Sequence, residues 1–343
     1  MKVLVTGHLG YIGTILTPML LSRGHEVVGL DSDLYARSTY GPASAIASVP
    51  NIRKDIRDAT LDDVRGFDAV LHLAGLSNDP LGDFNPQLTY DINHKASVRL
   101  AELAKRAGVA RYIFSSSCSN YGAGGNDLLD ESAAFHPVTP YGESKVMVER
   151  DVGTMADGRF SPVFLRNATA YGVSPRLRFD LVLNNLTAWA LTTRQVMLKS
   201  DGTPWRPIVH IEDISRAFIA TLEAPREQVH NESFNVGTTR ENYRIRELAM
   251  IVKDTIPQAE VTFAEGASPD TRNYRANCDK YCTRFPGWAP QWTARAAAAD
   301  LRDSFTRVGI TLEDFEGPRY KRLAHIKMLL DSGLLGPDLR FRA

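Results

Sequence analysis

The chain has 343 residues, which is enough for one large domain or two of medium size around a hydrophobic core. Apolar residues make up 43% of it, and 40 basic side chains balance 40 acidic ones, so the formal net charge is zero. The chain therefore lacks the basic footprint of a nucleic-acid binder or a membrane-surface protein. No apolar run has the length of a membrane span, so no membrane partner is expected.

The cysteines are few and irregularly spaced: Cys118, Cys278 and Cys282. Such a set is typical of reduced thiols, and residues 1–30 carry no signal-peptide pattern, so we expect a cytoplasmic location. Cys278 and Cys282 lack a second Cys or His pair at zinc-site spacing, and no metal is predicted.

The first elements predict a strand–helix–strand unit. Residues 2–6 (KVLVT) form an apolar run, a glycine-rich turn leads into a helix over residues 11–22, and a second apolar run covers residues 25–30. The alternation continues with strands at residues 67–74, 111–116 and 161–166, separated by helices at residues 86–107 and 140–155. This order predicts an α/β fold with a doubly wound parallel sheet, the Rossmann arrangement.

The predicted alternation of strands and helices becomes less regular after Asn167. Helices are predicted at residues 179–193 and 245–255, and short strands at residues 207–211, 233–236 and 261–263. We expect a cofactor-binding domain over residues 1–167, to which segments around residues 205–237 return. A smaller C-terminal α/β substrate domain would cover residues 168–310, followed by a helical tail at residues 311–343 that serves packing or subunit contact.

The turn after the first strand reads TGHLGYIG, from Thr6 to Gly13. Gly7 permits a tight turn, Gly10 leaves room for a pyrophosphate, and Gly13 lets helix and strand pack closely. The helix that follows offers free N–H groups to phosphates. Asp31 ends the second strand, where a carboxylate accepts hydrogen bonds from ribose hydroxyls and repels a 2′-phosphate, which favours NAD over NADP. Farther along, Asp55 and Ile56 are candidates for adenine contacts, and the small residues after His72 would let a dinucleotide cross the sheet edge.

A catalytic set is predicted around Tyr141 and Lys145, which lie on one helix face at positions i and i+4. The unperturbed pKa of tyrosine is about 10, and a nearby ammonium and the nicotinamide cation would lower it, so that Tyr141 can take a proton while a hydride leaves for NAD. A serine hydroxyl from residues 115–117 would complete the site. Such a Tyr–Lys pair also occurs on exposed helix faces, but its place downstream of a dinucleotide turn favours catalysis.

Taken together, these motifs resemble the extended short-chain dehydrogenase/reductase family, the NAD-dependent epimerase/dehydratase group that includes UDP-galactose 4-epimerase-like enzymes. The resemblance spans residues 1–280 and includes HLAG, SSSCSNYG, PYGESK, LRNATAYG, WRPIVHIED and FNVG. It implies a nucleotide-diphosphate sugar as substrate and a homodimer formed through the helices at residues 86–107 and 140–155. It implies catalytic roles for Ser117, Tyr141 and Lys145.

Binding roles also follow from the resemblance. The cofactor set implied by the turn and the family comprises Gly7, Gly10, Tyr11, Ile12, Asp31, Asp55, Ile56, Leu73, Ala74, Gly75, Asn93, Ser115, Tyr141 and Lys145. The substrate set comprises Ser117, Ser119, Asn167, Asn185, Arg206 and Arg272, with Asn167, Asn185 and Arg206 at the substrate's diphosphate. The choice between Arg272 and Arg275 as a late phosphate ligand stays open.

Two positions depart from part of the family. Its 4,6-dehydratases carry Asp-Glu directly after the catalytic hydroxyl residue, and here Cys118 and Ser119 stand there, so acid–base loss of water is disfavoured. We therefore predict an NAD-dependent nucleotide-sugar epimerase acting at carbon 4. The alternatives are an NAD(P)H-dependent 4-ketoreductase, a nucleotide-uronate decarboxylase and a non-catalytic NAD-binding regulator.

Overall fold

The computed structural model describes residues 1–268 and 271–342. Its strands are β1 (Lys2–Thr6), β2 (Glu26–Asp31), β3 (Asn51–Arg53), β4 (Ala69–His72), β5 (Arg111–Ser117), β6 (Leu128–Leu129), β7 (Ser161–Asn167), β8 (Thr169–Tyr171), β9 (Gln195–Ser200), β10 (Trp205–His210), β11 (Glu232–Val236), β12 (Asn242–Arg244), β13 (Glu260–Ser268) and β14 (Arg275–Ala276).

The α-helices alternate with these strands. They are α1 (Gly13–Ser22), α2 (Asp79–Phe84), α3 (Pro86–Thr89), α4 (Ala96–Arg106), α5 (Pro140–Gly153), α6 (Val182–Thr193), α7 (Ile211–Glu223), α8 (Arg226–Val229), α9 (Ile245–Thr255), α10 (Asp279–Arg284), α11 (Ala294–Val308), α12 (Leu312–Glu316) and α13 (Arg322–Asp331). A π turn at Tyr90–Lys95 joins α3 to α4, and short 3₁₀ turns include Ile56–Asp58 and Cys118–Tyr121.

The central sheet is parallel and has the strand order β3-β2-β1-β4-β5-β7-β11. Val5 of β1 pairs with Gly29 of β2 on one side and Leu71 of β4 on the other, so β1 lies inside the sheet. Burial on both faces makes such strands almost continuously apolar. The observed order is that of a Rossmann fold and confirms the predicted fold class.

Helices cover both faces of this sheet. One hydrophobic core includes Leu16 and Leu20 of α1 together with Phe218 of α7. The opposite core includes Leu100 of α4 and Val148 of α5. A third core lies away from the sheet among α6, α9 and α11.

The long helix predicted at residues 86–107 is interrupted, which corrects that prediction. The π turn at Tyr90–Lys95 separates α3 from α4. Within the turn the buried Asn93 accepts a hydrogen bond from Leu76 N–H at 2.7 Å and donates to Leu76 O at 2.9 Å. These tertiary hydrogen bonds hold the widened turn, and π turns of this kind are frequent near functional sites.

Besides the central sheet, the described residues form three small sheets. β10 lies between β12 and β8, β13 pairs with β9, and β14 pairs with β6. The strand expected at residues 207–211 begins earlier, at Trp205, and ends at His210, because His210 caps α7 by accepting a hydrogen bond from Glu212 N–H at 3.2 Å. The helix expected from residue 179 begins at Val182.

The C-terminal segment packs back onto the central sheet. α13 contributes the buried Ile326 and Leu329 to the core that also holds Leu4 and Leu30, and Leu335 and Leu339 join the same core. Between α13 and residue 342 the described residues form no helix, and an isolated bridge joins Leu335 to Phe341. The tail is therefore helical only in part.

Candidate active site

A cleft lies where β1, β2 and β4 end at the carboxyl edge of the sheet, which is where open α/β sheets bind ligands. We name it the dinucleotide cleft. Ten residues of the predicted cofactor set line it: Gly7, Gly10, Tyr11, Ile12, Asp31, Asp55, Ile56, Leu73, Ala74 and Gly75. The remaining four, Asn93, Ser115, Tyr141 and Lys145, lie on neighbouring elements described below.

The glycines of the turn leave no room for side chains. Gly7 has φ +74°, and a Cβ atom built on it would lie 2.7 Å from Ala74 N. A Cβ on Gly13 would lie 2.3 Å from Gly7 O, and one on Gly10 would lie 3.0 Å from the same oxygen. The backbone is thus open to a ligand at the start of α1, and the turn fits a dinucleotide.

Asp31 and Asp55, the two acidic residues of the predicted cofactor set, have different surroundings. Asp31 accepts hydrogen bonds from Leu9 N–H at 3.0 Å and Asp33 N–H at 2.7 Å, and burial raises the pKa of its carboxyl group. Asp55 accepts two hydrogen bonds from the Arg57 guanidinium, at 2.9 and 2.6 Å. Burial opposes ionisation of Asp55, but the Arg57 hydrogen bonds outweigh it and lower the pKa. The Asp55 carboxylate is therefore already engaged by Arg57.

Ser117, Tyr141 and Lys145 come together because β5 ends beside the start of α5. Thr139 caps α5 by accepting a hydrogen bond from Gly142 N–H at 3.2 Å, and Pro140 follows in the first turn. Lys145 Nζ donates to Ser115 O at 2.8 Å and lies 5.7 Å from the centroid of the Tyr141 ring. Ser119 Oγ donates to Ser117 Oγ at 2.8 Å.

Burial shifts the pKa of both ionisable groups in this set toward the neutral form. It raises the pKa of Tyr141 to about 12, although the Ser117 hydroxyl acts in the opposite direction. It lowers the pKa of Lys145 to about 7, while the charge of Glu149 acts to raise it. A cation placed beside Tyr141 would favour the phenolate form of Tyr141. A nearby anion would favour the charged form of Lys145.

A buried ion pair that no sequence motif indicated joins α5 to β7. Arg166 Nη2 lies 2.7 Å from Glu149 Oε2, and both side chains are only 6% exposed. Glu149 Oε1 also accepts hydrogen bonds from Ser116 Oγ at 2.5 Å and Asn120 Nδ2 at 3.0 Å. Glu149 follows Lys145 by four residues, as Lys145 follows Tyr141. This repeated spacing is the sequence signal that places Glu149 on the same helix face.

The predicted substrate residues do not all meet at one point. Asn167 donates to Ser115 Oγ at 3.1 Å, and its buried Oδ1 has no hydrogen-bond partner within the described residues. Asn185, which lies on α6, instead donates a hydrogen bond to Phe179 O at 3.0 Å. Asn167 therefore hydrogen-bonds Ser115 and lies opposite Ser117 in the pairing of β5 with β7, and the substrate roles of Asn167 and Asn185 stay predictions.

The arginines Arg206, Arg272 and Arg275 lie near one another but have different contacts. Arg206 donates to the backbone oxygen of Arg272, and the Arg272 guanidinium pairs with Asp79. Asp79 in turn accepts a hydrogen bond from Thr139 Oγ1 at 2.6 Å, which links Arg272 to the start of α5. The Arg275 guanidinium instead lies 4.7 Å from the centroid of the Trp205 ring.

Thirteen residues that line the dinucleotide cleft were not in the predicted cofactor set, and three of them come from the second half of the chain: Arg178, Arg322 and Leu339. Arg178 pairs with Asp180 and donates to Ser77 O at 3.0 Å. Arg322 and Leu339 come from the C-terminal segment, where no motif marked them. Only the tertiary fold brings them to the cleft.

Among the described residues, no group of three or more His, Cys, Asp and Glu side chains is arranged to hold a metal ion. No helix in that part of the chain is long and apolar enough to cross a bilayer.

Comparison with known proteins agrees with this geometry. The model of the NAD dependent epimerase/dehydratase family matches residues 3–237. A UDP-glucose 4-epimerase of Azospirillum brasilense is 32% identical over 313 residues, which cover 84% of this chain and 87% of that protein.

Solved structures give the same result. A Bacillus cereus UDP-glucuronic acid 4-epimerase in complex with UDP-glucuronic acid and NAD is 25% identical, with a TM-score of 0.77, over 90% of this chain and 100% of that one. MoeE5 in complex with UDP-glucuronic acid and NAD is 26% identical, with a TM-score of 0.77, over 90% and 99% of the two chains. The chain therefore belongs to the NAD dependent epimerase/dehydratase family, and its cofactor is NAD.

Proposed function

We propose that the protein inverts the configuration at carbon 4 of a nucleotide-diphosphate sugar. An NAD-dependent nucleotide-sugar epimerase is the class that the family match and the relatives support. The observation that carries the proposal is the set of Ser117, Tyr141 and Lys145 beside the dinucleotide cleft, with no acid–base pair at Cys118 and Ser119.

Each of the three side chains has a distinct task in this proposal. Bound NAD supplies the acceptor, and later the donor, of the hydride at carbon 4. Tyr141 takes the proton of the 4-hydroxyl group and returns it after the keto-sugar has turned its other face to the cofactor. Lys145 favours the phenolate of Tyr141, and Ser117 hydrogen-bonds the same sugar oxygen. Proton and hydride both return to the sugar, so the reaction consumes no cofactor.

The surroundings of Cys118 support epimerisation over loss of water. Cys118 is fully buried, its Sγ donates to Arg166 O at 3.1 Å, and burial raises its pKa far above the ordinary range. A thiol in this state is no general acid or base at neutral pH. Ser119 donates its own hydroxyl to Ser117 and carries no ionisable group.

The direct test incubates the purified protein with a panel of nucleotide sugars, including UDP-glucose and UDP-glucuronic acid, without reduced cofactor. Chromatography with mass detection should show a new product of unchanged mass. A product lighter by water or carbon dioxide would contradict the proposal. Turnover of a keto-sugar only with stoichiometric NADH or NADPH would replace it by a ketoreductase.

The role of Tyr141 is tested by Tyr141→Phe. We expect turnover to fall by about a hundredfold or more, because general acid–base catalysis typically contributes that much, while the dissociation constant of NAD changes little. Tyr90→Phe is the matched control, since Tyr90 hydrogen-bonds Glu143 on the outer side of α5. Full activity of Tyr141→Phe would remove Tyr141 from the chemistry.

A further inference from the structure

Arg322 is an unusual residue for the first position of a helix. It begins α13 and lines the dinucleotide cleft with a side chain that is only 2% exposed. Its guanidinium carbon lies 3.8 Å from the centroid of the Tyr35 ring, and Nη2 donates to Arg176 O at 2.8 Å. Nη1 is buried and has no hydrogen-bond partner within the described residues.

The charge of Arg322 is poorly compensated. In the described part of the chain no carboxylate forms an ion pair with it, and Asp180 is already paired with Arg178. Burial lowers the pKa of Arg322 to about 10, which still leaves the group cationic at neutral pH. A cation at a helix N-terminus is also unfavourable, because the helix dipole is positive there. A buried cation of this kind gains stability when an anion joins it.

The same cleft offers a place for that anion. Gly10, Tyr11 and Ile12, which carry the glycine turn at the start of α1, line it together with Arg322. The anionic groups of NAD are its two phosphates. Bidentate guanidinium–phosphate hydrogen bonds are among the strongest that proteins make.

We propose that Arg322 binds the diphosphate of NAD, so that the C-terminal segment completes the cofactor site that the glycine turn begins. The proposal rests on NAD as the cofactor and is independent of the sugar and of carbon 4. It assigns a ligand role to a residue that lies outside residues 3–237, the part that matches the family model.

The test compares Arg322→Gln with Arg322→Lys in the full chain, after removal of bound NAD, by calorimetric titration with NAD. Both variants lose the planar fork and the ring stacking, but only the second keeps the charge. We expect the dissociation constant to rise by about tenfold or more in Arg322→Gln and by less in Arg322→Lys. Arg319→Gln is the matched control, because Arg319 is 53% exposed and pairs with Asp314 outside the cleft.

Melting temperatures of the NAD-free variants separate binding from packing. Similar melting temperatures with clearly different NAD affinities of the Gln and Lys variants would support the proposal. Equal affinities of these two variants, or an unchanged affinity of Arg322→Gln, would overturn it. If Arg322→Gln does not fold, Arg322→Lys decides alone: it should bind NAD several times more weakly than the wild type, and an unchanged dissociation constant would refute the role.

Discussion

Lys145 is an ionisable side chain that is almost fully buried. It is 6% exposed, donates to the Ser115 backbone, and lies 4.5 Å from the centroid of the Phe114 ring. Its neighbour Glu149 is already engaged by Arg166 and offsets only part of the cost of burying an ammonium group. In the NAD-free protein this lysine is therefore held in an environment that disfavours its charge.

This environment predicts a pH-dependent stability. The pKa of Lys145 falls from 10.5 to about 7 on folding, so between these values the unfolded chain binds one more proton than the folded one. The free energy of unfolding of the wild type should therefore rise with pH relative to Lys145→Met, by roughly 1 kcal/mol per pH unit. Urea denaturation of both NAD-free proteins at pH 7 and pH 10 measures it. A constant difference between the two proteins would show that the lysine stays charged.

For these residues the sequence predicted which side chains meet but not which groups compensate their charges. The i and i+4 spacing placed Tyr141 and Lys145 on one face because helix geometry is local. Glu149 continues that face, but its partner Arg166 is on β7, and only the packing of α5 against β7 in the tertiary fold brings the two together. The role of Asn185 in substrate binding remains a prediction, since its amide is bound to Phe179 O.

Among the elements, α5 has a start that several side-chain contacts determine. The Thr139 hydroxyl accepts a hydrogen bond from Gly142 N–H and donates one to Asp79, while Asp79 pairs with Arg272. α2 also packs against this end of α5, because a Cβ atom on Gly82 would lie 3.2 Å from the Tyr141 Cβ. The position of Tyr141 thus depends on the cap and on the absence of a side chain at Gly82.

Replacing the capping residue should loosen this arrangement. Thr139→Ala removes the hydroxyl that satisfies Gly142 N–H, and we expect a loss of about 1 kcal/mol in the free energy of unfolding. Thr139→Ser keeps the hydroxyl and should retain most of the stability. Urea unfolding of the two variants gives the comparison. Equal losses in both would indicate that the Thr139 methyl group, and not the cap, is what matters.

Local patterns predicted the elements of the first half well and those of the second half less well. Buried parallel strands such as β1 and β4 are continuous apolar runs bounded by glycine or polar residues, and these are visible in the sequence. The π turn at Tyr90–Lys95 is not visible in the sequence, because reciprocal hydrogen bonds between Asn93 and Leu76 stabilise it. β10 likewise depends on pairing with β8 and β12, which is long-range information.

In the molecule as a whole, the C-terminal segment is part of the hydrophobic core on one face of the central sheet. Leu329 of α13 is 2% exposed in the core that contains Leu4 and Leu30. Arg340 adds an ion pair with Asp58, at 2.8 Å, beside the dinucleotide cleft. Sequence analysis expected packing or subunit contact here, and no motif indicated that the tail would reach the cofactor cleft.

If the segment is integral, a core substitution within it should destabilise the entire fold. We expect Leu329→Ala to lower the free energy of unfolding by about 2–4 kcal/mol, as for other buried leucines. Leu334→Ala is the control, because Leu334 is 36% exposed. Thermal and urea unfolding should each show a single transition. A small loss, or a separate early transition, would mean that the tail unfolds independently of the sheet.

The return of α13 to β1 and β2 also has a consequence for biosynthesis. The glycine turn leaves the ribosome more than 300 residues before Arg322 and Leu339, which line the same cleft. A nascent chain that has already formed the first strands still lacks part of the wall of its cofactor site. Tight retention of NAD would therefore begin only after residues 322–339 have been synthesised and have packed against the sheet.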